Sequence, residues 1–208
     1  MEDRQPARMH LELVRSPDAV DARAEAVAAA GWRTSTWDPA TDEDRDQLPR
    51  RLARCDGLVV GEGDGDVVAP ASEQTTVVSL RRYPRPSQGS CSGEPTTGIL
   101  LVLISPRDEA RAQELRDWSD FVHLRHIAEA GAPGYRTITP WENEEDGGVP
   151  RYCHLYEMVT DDPQRTFEQM TPLVESRLDH EAFTDWAWHR QLMIDESRTY
   201  RRRGAAGG

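Results

Sequence analysis

The stretch Met9–Val14 alternates apolar and polar residues with period two and predicts a β-strand. Ser16, Pro17 and Asp18 follow with a capping hydroxyl, a first-turn proline and a first-turn acid, and the alanine-rich run to Ala30 is a strong helix former. Gly31 stops that helix, and Trp32–Trp37 predicts the next strand. Thr41–Arg54 predicts a short polar helix interrupted by Pro49. Gly57–Val60 reads as a buried strand, Gly61–Asp66 as a turn-rich loop and Thr75–Tyr83 as another strand. Pro84–Thr97, rich in Pro, Ser and Gly, predicts a linker.

Beyond the linker the pattern returns. Ile99–Ile104 predicts a strand, and Ser105-Pro106 with Asp108 repeats the earlier Ser-Pro helix start before a long helix towards Ala130. Gly134-Tyr135-Arg136-Thr137 echoes Gly31-Trp32-Arg33-Thr34, and the acidic stretch Glu142–Asp146, read as a solvated hairpin tip, echoes Asp42–Asp46. Tyr152–Val159 predicts a strand. Asp162-Pro163 caps a helix with Phe167, Met170, Val174 and Leu178 on one stripe. Phe183–Met193 predicts a further helical piece and Ser197–Arg202 a closing strand. The expected fold is therefore α+β: two ferredoxin-like repeats fused in one chain and forming a pseudo-dimeric α/β barrel. Residues 9–86 form the first, degenerate repeat, which lacks its second helix before Thr75. Residues 87–97 form the linker and 98–203 the second repeat, with flexible ends at 1–8 and 204–208. An eight-stranded barrel has room for packed side chains or one small ligand, and the expected pocket is the hollow where the halves clasp each other.

Charge narrows the possible partners. A formal net charge of −12 opposes binding to a phosphate backbone, and the short Arg201–Arg203 cluster does not reverse it, so no nucleic-acid partner is expected. All 25 basic residues are Arg, which excludes protein-lysine Schiff-base chemistry and a Walker-type phosphate lysine. No apolar run has the length of a bilayer span and no basic-then-apolar leader is seen, so no membrane partner and a cytoplasmic location are expected. Cys55, Cys91 and Cys153 have neither zinc nor redox spacing and read as reduced structural thiols.

Candidate chemistry gathers between Trp118 and Glu157. His123 and His126 are three apart, on one side of a helix that Ser119 also shares, and two imidazoles suit proton transfer. A solvated helix face explains the same spacing. On the strand that follows, Tyr152, His154, Tyr156 and Met158 share one face, opposite Cys153, Leu155 and Glu157. Rings with hydrogen-bonding tips suit a ligand cavity, and core packing of the tyrosines is the alternative. Trp118 and Trp141 are expected to flank a bound ring, with Trp186 and Trp188 as further aromatic candidates. His180 and His189 have no metal or haem spacing, so no cofactor and no metal are expected, with haem as the main alternative. Gly61–Gly65 precedes no helix, which argues against a phosphate cradle.

Trp118-x4-His123-Leu124, then Pro133-Gly134-Tyr135, then Pro150-Arg151-Tyr152 through Tyr156-Glu157 resemble the dimeric α/β-barrel superfamily. That group includes EthD-like proteins, muconolactone-isomerase-like proteins and antibiotic-biosynthesis monooxygenases; the likeness covers residues 98–203. It implies a barrel of two ferredoxin-like units whose cavity takes small, often aromatic or polyketide-like molecules. It also implies oxidation, cyclisation or isomerisation without metal or flavin in several members and haem in others, with His123 near the cavity mouth and a homodimer as the usual assembly. The expectation is a small-molecule tailoring enzyme of secondary metabolism. His123, His126 and Tyr156 are its expected catalytic residues, with Trp118, Tyr152, His154, Trp141 and Met158 around the substrate. A non-catalytic ligand-binding barrel is the alternative.

Overall fold

The computed structural model describes residues 6–41, 51–66, 68–70, 72–90 and 93–204. Its strands are β1 (Arg8–Val14), β2 (Arg33–Pro39), β3 (Gly57–Glu62), β4 (Thr75–Arg82), β5 (Gln88–Gly89), β6 (Gly98–Pro106), β7 (Tyr135–Asn143), β8 (Tyr152–Met158) and β9 (Leu192–Arg202). The helices are α1 (Val20–Ala29), α2 (Ala112–Trp118), α3 (Leu124–Ala130), α4 (Pro163–Glu175) and α5 (His180–Ala187); a π-helical turn, Ser119–His123, joins α2 to α3. The strands run β4-β1-β3-β2-β9-β6-β8-β7, and β4 pairs with β7 to close an antiparallel barrel of eight; β5 is a two-residue addition to β7. Each half has the same internal order, fourth strand, first, third, second. The two seams, β2–β9 and β4–β7, each join the second strand of one half to the fourth of the other. Both halves lie in one chain, so closing the barrel needs no second copy.

Side-chain alternation assigns each strand's two faces. Leu11, Leu13, Leu58, Val60, Val78, Leu80, Ile99, Leu101, Leu103, Trp141, Cys153, Leu155 and Tyr200 point inward and pack the barrel as one buried apolar core. The expected hollow between the halves is therefore filled. β6 is apolar on both faces because Leu100, Val102 and Ile104 point the other way, towards the helices of the second half. That helix layer forms a second core with Leu124, Ile127, Tyr156, Met158, Met170, Val174 and Trp186. In the first half, the corresponding outer face of β1 carries a buried charged group instead. Glu12 accepts from Arg23 Nε at 2.7 Å and lies 2.8 Å from His10 Nε2, and both His10 and Glu12 are fully buried. Among the described residues no helix separates β3 from β4.

Several local expectations change. Ser16 makes no side-chain cap bond, and the second Ser-Pro pair starts no helix: β6 runs through Pro106, and Asp108 supplies the cap by accepting from Ala110 N at 3.1 Å. Ser105 Oγ instead donates to Asp195 Oδ2 at 2.6 Å. The last helix begins at His180, capped by Asp179, and Met193 belongs to β9. Glu142 and Glu144 do not form a free acidic tip. They meet Arg81 and Arg8 of the first half at 2.7 Å each, beside the β4–β7 seam. Most of the polar helix expected at Thr41–Arg54 lies outside the described residues, as does Cys91; residues 51–54 are not helical.

Neighbouring leucines of β6 separate the two cores experimentally. Leu101→Ala leaves a hole in close packing and should cost about 2–5 kcal/mol of unfolding free energy. Leu100→Ala only enlarges a space that already exists on the helix side and should cost less. Urea unfolding of both variants checks this, and equal losses would contradict the separation.

Candidate functional site

A cavity of about 330 Å³ lies between the sheet of the second half and its helices. Leu100, Val102 and Ile104 of β6, His154 and Tyr156 of β8, and Leu192, Ile194 and Ser197 of β9 form its floor. Ile194 and Ser197 are three apart and would point to opposite faces of a regular strand. The register between β6 and β9 slips at Leu103/Ile104, where Asp195 is the extra residue, and this returns both side chains to the cavity. The roof comes from Trp118, Ser119, His123 and Ile127, then Phe167, Met170 and Thr171 of α4, and Phe183, Trp186 and Ala187 of α5. The volume is within the range of small-molecule sites, and the wall is mostly apolar with a few polar groups.

The π-helical turn sets the roof. Leu124 N–H donates to Ser119 O, five residues back. The widened turn shifts the helical register by one residue, so the face-sharing spacings of a regular helix do not carry across it. Ser119 and His123 both line the cavity, whereas His126 faces outward, 3.6 Å from Glu129.

His123 is held on three sides. Its Nδ1 lies 3.0 Å from the Trp186 carbonyl, which accepts only, so Nδ1 carries the proton and Nε2 the lone pair. Its ring stacks on Trp186 at 5.0 Å and 11° and meets Trp118 at 5.1 Å. Trp186 Nε1 donates back to His123 O at 3.0 Å, and Trp118 Nε1 donates to Asp185 O at 2.7 Å, which ties α5 over the cavity. Burial lowers the His123 pKa from the ordinary imidazole value, against the opposing hydrogen bond to Trp186.

His154 is 2% exposed, and its Nε2 lies 3.2 Å from Ser119 Oγ. Its pKa is lowered well below the usual range, first by burial, then by the Arg116 cation and His123. Sequence reasoning missed Arg116. It is fully buried between the rings of Tyr83 (3.5 Å) and Tyr152 (4.6 Å), and 3.2 Å from Asp120. Neither its charge nor its position left a signal in spacing. Burial raises the Tyr156 pKa, so its phenol is neutral, and Tyr135 adds to the shift.

The remaining expected residues lie apart. Tyr152 is buried under α2, donating to Ala112 O at 3.2 Å, and does not line the cavity. Met158 packs in the helix-side core without reaching it. Trp141 is on the opposite side of the sheet, inside the barrel, because it occupies the inward phase of β7. His189 stacks on the outer side of Trp118 at 5.4 Å, and Trp188 is exposed. Among the described residues no group of three or more His, Cys, Asp or Glu is placed to hold a metal ion, and no helix is long and apolar enough to cross a membrane.

No known family profile matches the sequence, and no curated protein does. Solved structures do. A protein described as anthrone oxidase-like is 12% identical with a TM-score of 0.56, covering 97% of this chain and 92% of that one. A major regulator of staphylococcal pathogenesis is 9% identical with a TM-score of 0.53, covering 93% and 98%. A chlorite dismutase mutant from Candidatus Nitrospira defluvii is 8% identical with a TM-score of 0.50, covering 95% and 91%. At such identities the likeness establishes architecture alone: the chain has the α+β barrel of two ferredoxin-like halves.

Proposed function

We propose that the chain is a small-molecule enzyme that binds a flat, mostly apolar aromatic or polyketide-like substrate in the second-half cavity and removes a proton from it with His123. The single observation that carries this reading is the state of that imidazole. It sits in the cavity wall with Nδ1 3.0 Å from the acceptor Trp186 O, an arrangement that leaves the lone pair on Nε2, and desolvation lowers its pKa. Such a group accepts a proton from a phenol or an activated carbon. Trp118 and Trp186 fix the ring, while Tyr156 and His154 are placed to hydrogen-bond the anion that forms. Oxidation, cyclisation and isomerisation all start from such an anion. His126, Tyr152, Trp141 and Met158 take no part in this reading because they do not line the cavity.

Haem fits these residues poorly. The cavity is at the small end of ligand sites, and none of its lining residues is an arginine to meet the propionates. An absorption spectrum of the purified protein checks this, since a Soret band would favour the haem reading. The anthrone oxidase-like neighbour suggests three-ring ketones for a substrate panel, and ligand binding without turnover is the competing reading.

A panel of aromatic ketones and phenols, followed by mass spectrometry and by quenching of tryptophan fluorescence, separates turnover from binding. His123→Gln should lower turnover roughly 10²–10⁴-fold while affinity changes only a few-fold. Full turnover in that variant would contradict the assignment, and binding without turnover in the wild type would favour the ligand-binding alternative. The base works only when unprotonated, and its pKa is lowered. The acid limb of kcat/KM should therefore fall below pH about 6.5, with a flat profile through neutrality. A limb above pH about 7 would contradict an imidazole whose pKa desolvation lowers.

A further inference from the structure

The cavity contains a second imidazole whose hydrogen bonding is the reverse of the first. Ser119 is 1% exposed, and His154 Nε2, at 3.2 Å, is the one partner of its hydroxyl among the described residues. A buried hydroxyl must place its proton on an acceptor, and the imidazole nitrogen is the acceptor within reach. Ser119 therefore donates to His154 Nε2, and the proton of the neutral His154 ring sits on Nδ1. Among the described residues no protein group accepts from that Nδ1, and His154 lines the cavity. Burial first and then the Arg116 cation disfavour a charged ring here, so the donor stays neutral.

From this pairing we infer that the site is built for an enolisable ketone, with the substrate carbonyl accepting from His154 Nδ1–H while His123 Nε2 faces the carbon next to it. Ser119 is the positioning residue that fixes which His154 nitrogen carries the proton. This inference rests on the proposed role of His123. In the step it describes, His123 Nε2 takes a proton from the carbon beside the carbonyl. The C–H electron pair becomes the enolate C=C bond, and the carbonyl π pair moves to oxygen, where the Nδ1–H bond of His154 strengthens as charge develops. Return of a proton from solvent-exchanged His123 regenerates the ketone, so the substrate exchanges hydrogen with no oxidant and no net reaction. In triosephosphate isomerase a neutral imidazole likewise polarises the carbonyl while a carboxylate acts as base; here both members of the pair are imidazoles.

The probe is 2-tetralone labelled with ¹³C at its carbonyl, a two-ring ketone with an acidic methylene. Nitrogen-15 spectra of the imidazoles, assigned with His154→Gln, should show His154 neutral and protonated on Nδ1. Ser119→Ala should move that proton to Nε2, and Ser119→Thr, which restores a hydroxyl, should return it. In infrared difference spectra the bound carbonyl should absorb at lower frequency than in water-free solvent, with the shift lost in Ser119→Ala and kept in His123→Gln. Deuterium exchange into the probe should fall roughly 10²–10³-fold in His154→Leu, the usual effect of losing one oxyanion donor. A wild-type His154 protonated on Nε2, a carbonyl frequency indifferent to Ser119, or failure of 2-tetralone to bind would overturn the inference. Exchange that persists in His123→Gln while the carbonyl shift still depends on Ser119 would overturn His123 as the base, in the preceding section and here, and support only the pairing of Ser119 with His154 as the carbonyl donor.

Discussion

Period-two alternation in β6 and β8 is the constraint on which the rest of the molecule depends. Each strand has to satisfy two compartments at once, because successive side chains leave the sheet on opposite sides. Ile99, Leu101 and Leu103, with Cys153 and Leu155, belong to the barrel; Leu100, Val102 and Ile104, with His154 and Tyr156, belong to the helix side. A one-residue slip would move both imidazole-bearing and apolar sets to the wrong compartment. The barrel side is filled to closure, and burial pushes the Cys55 thiol in that interior up to about 11, as expected for a dry space. The helix side is where space remains.

The two halves solve the same problem differently. In the first, α1 covers the outer face, and the Glu12 carboxylate, held by Arg23 and His10, occupies the space beneath it. Desolvation of Glu12 opposes its charge, but the bonds from His10 and Arg23 outweigh it and keep its pKa lowered. In the second half two helical layers span the sheet, and α5 is tied down by indole and imidazole bonds to backbone carbonyls rather than by close apolar packing alone. Those same rings wall the cavity. Closing the roof and holding the His123 ring are thus one set of interactions, and among the described residues that set belongs to the second half.

Much of this was legible from the sequence. Strand alternation, the Asp162 cap and the Phe167–Met170–Val174 stripe are local signals, and they gave the repeat and the shared face of His154 and Tyr156. The alternation of β8 says which residues share a face but not which compartment that face meets, so the hollow was assigned to the barrel instead of the helix layer. The π-helical turn leaves no periodic trace, because its extra residue is set by packing rather than by composition; His126 was grouped with His123 for that reason. Trp141 failed similarly: an aromatic residue on a strand has two possible sides, and pairing of β7 with β4 across the seam decided it. Arg116 and Trp186 act through contacts far away in sequence, Tyr83 and His123 respectively, which no spacing rule anticipates.

The central claim, a packed barrel with its working space under the helices, is tested most directly by locating a bound ligand. Crystals soaked with 2-naphthol should show it between Trp118, Trp186 and His154, with its hydroxyl near an imidazole nitrogen, while Leu101, Trp141 and Leu155 remain in contact with one another. Density for the ligand among those three residues, inside the barrel, would contradict the account.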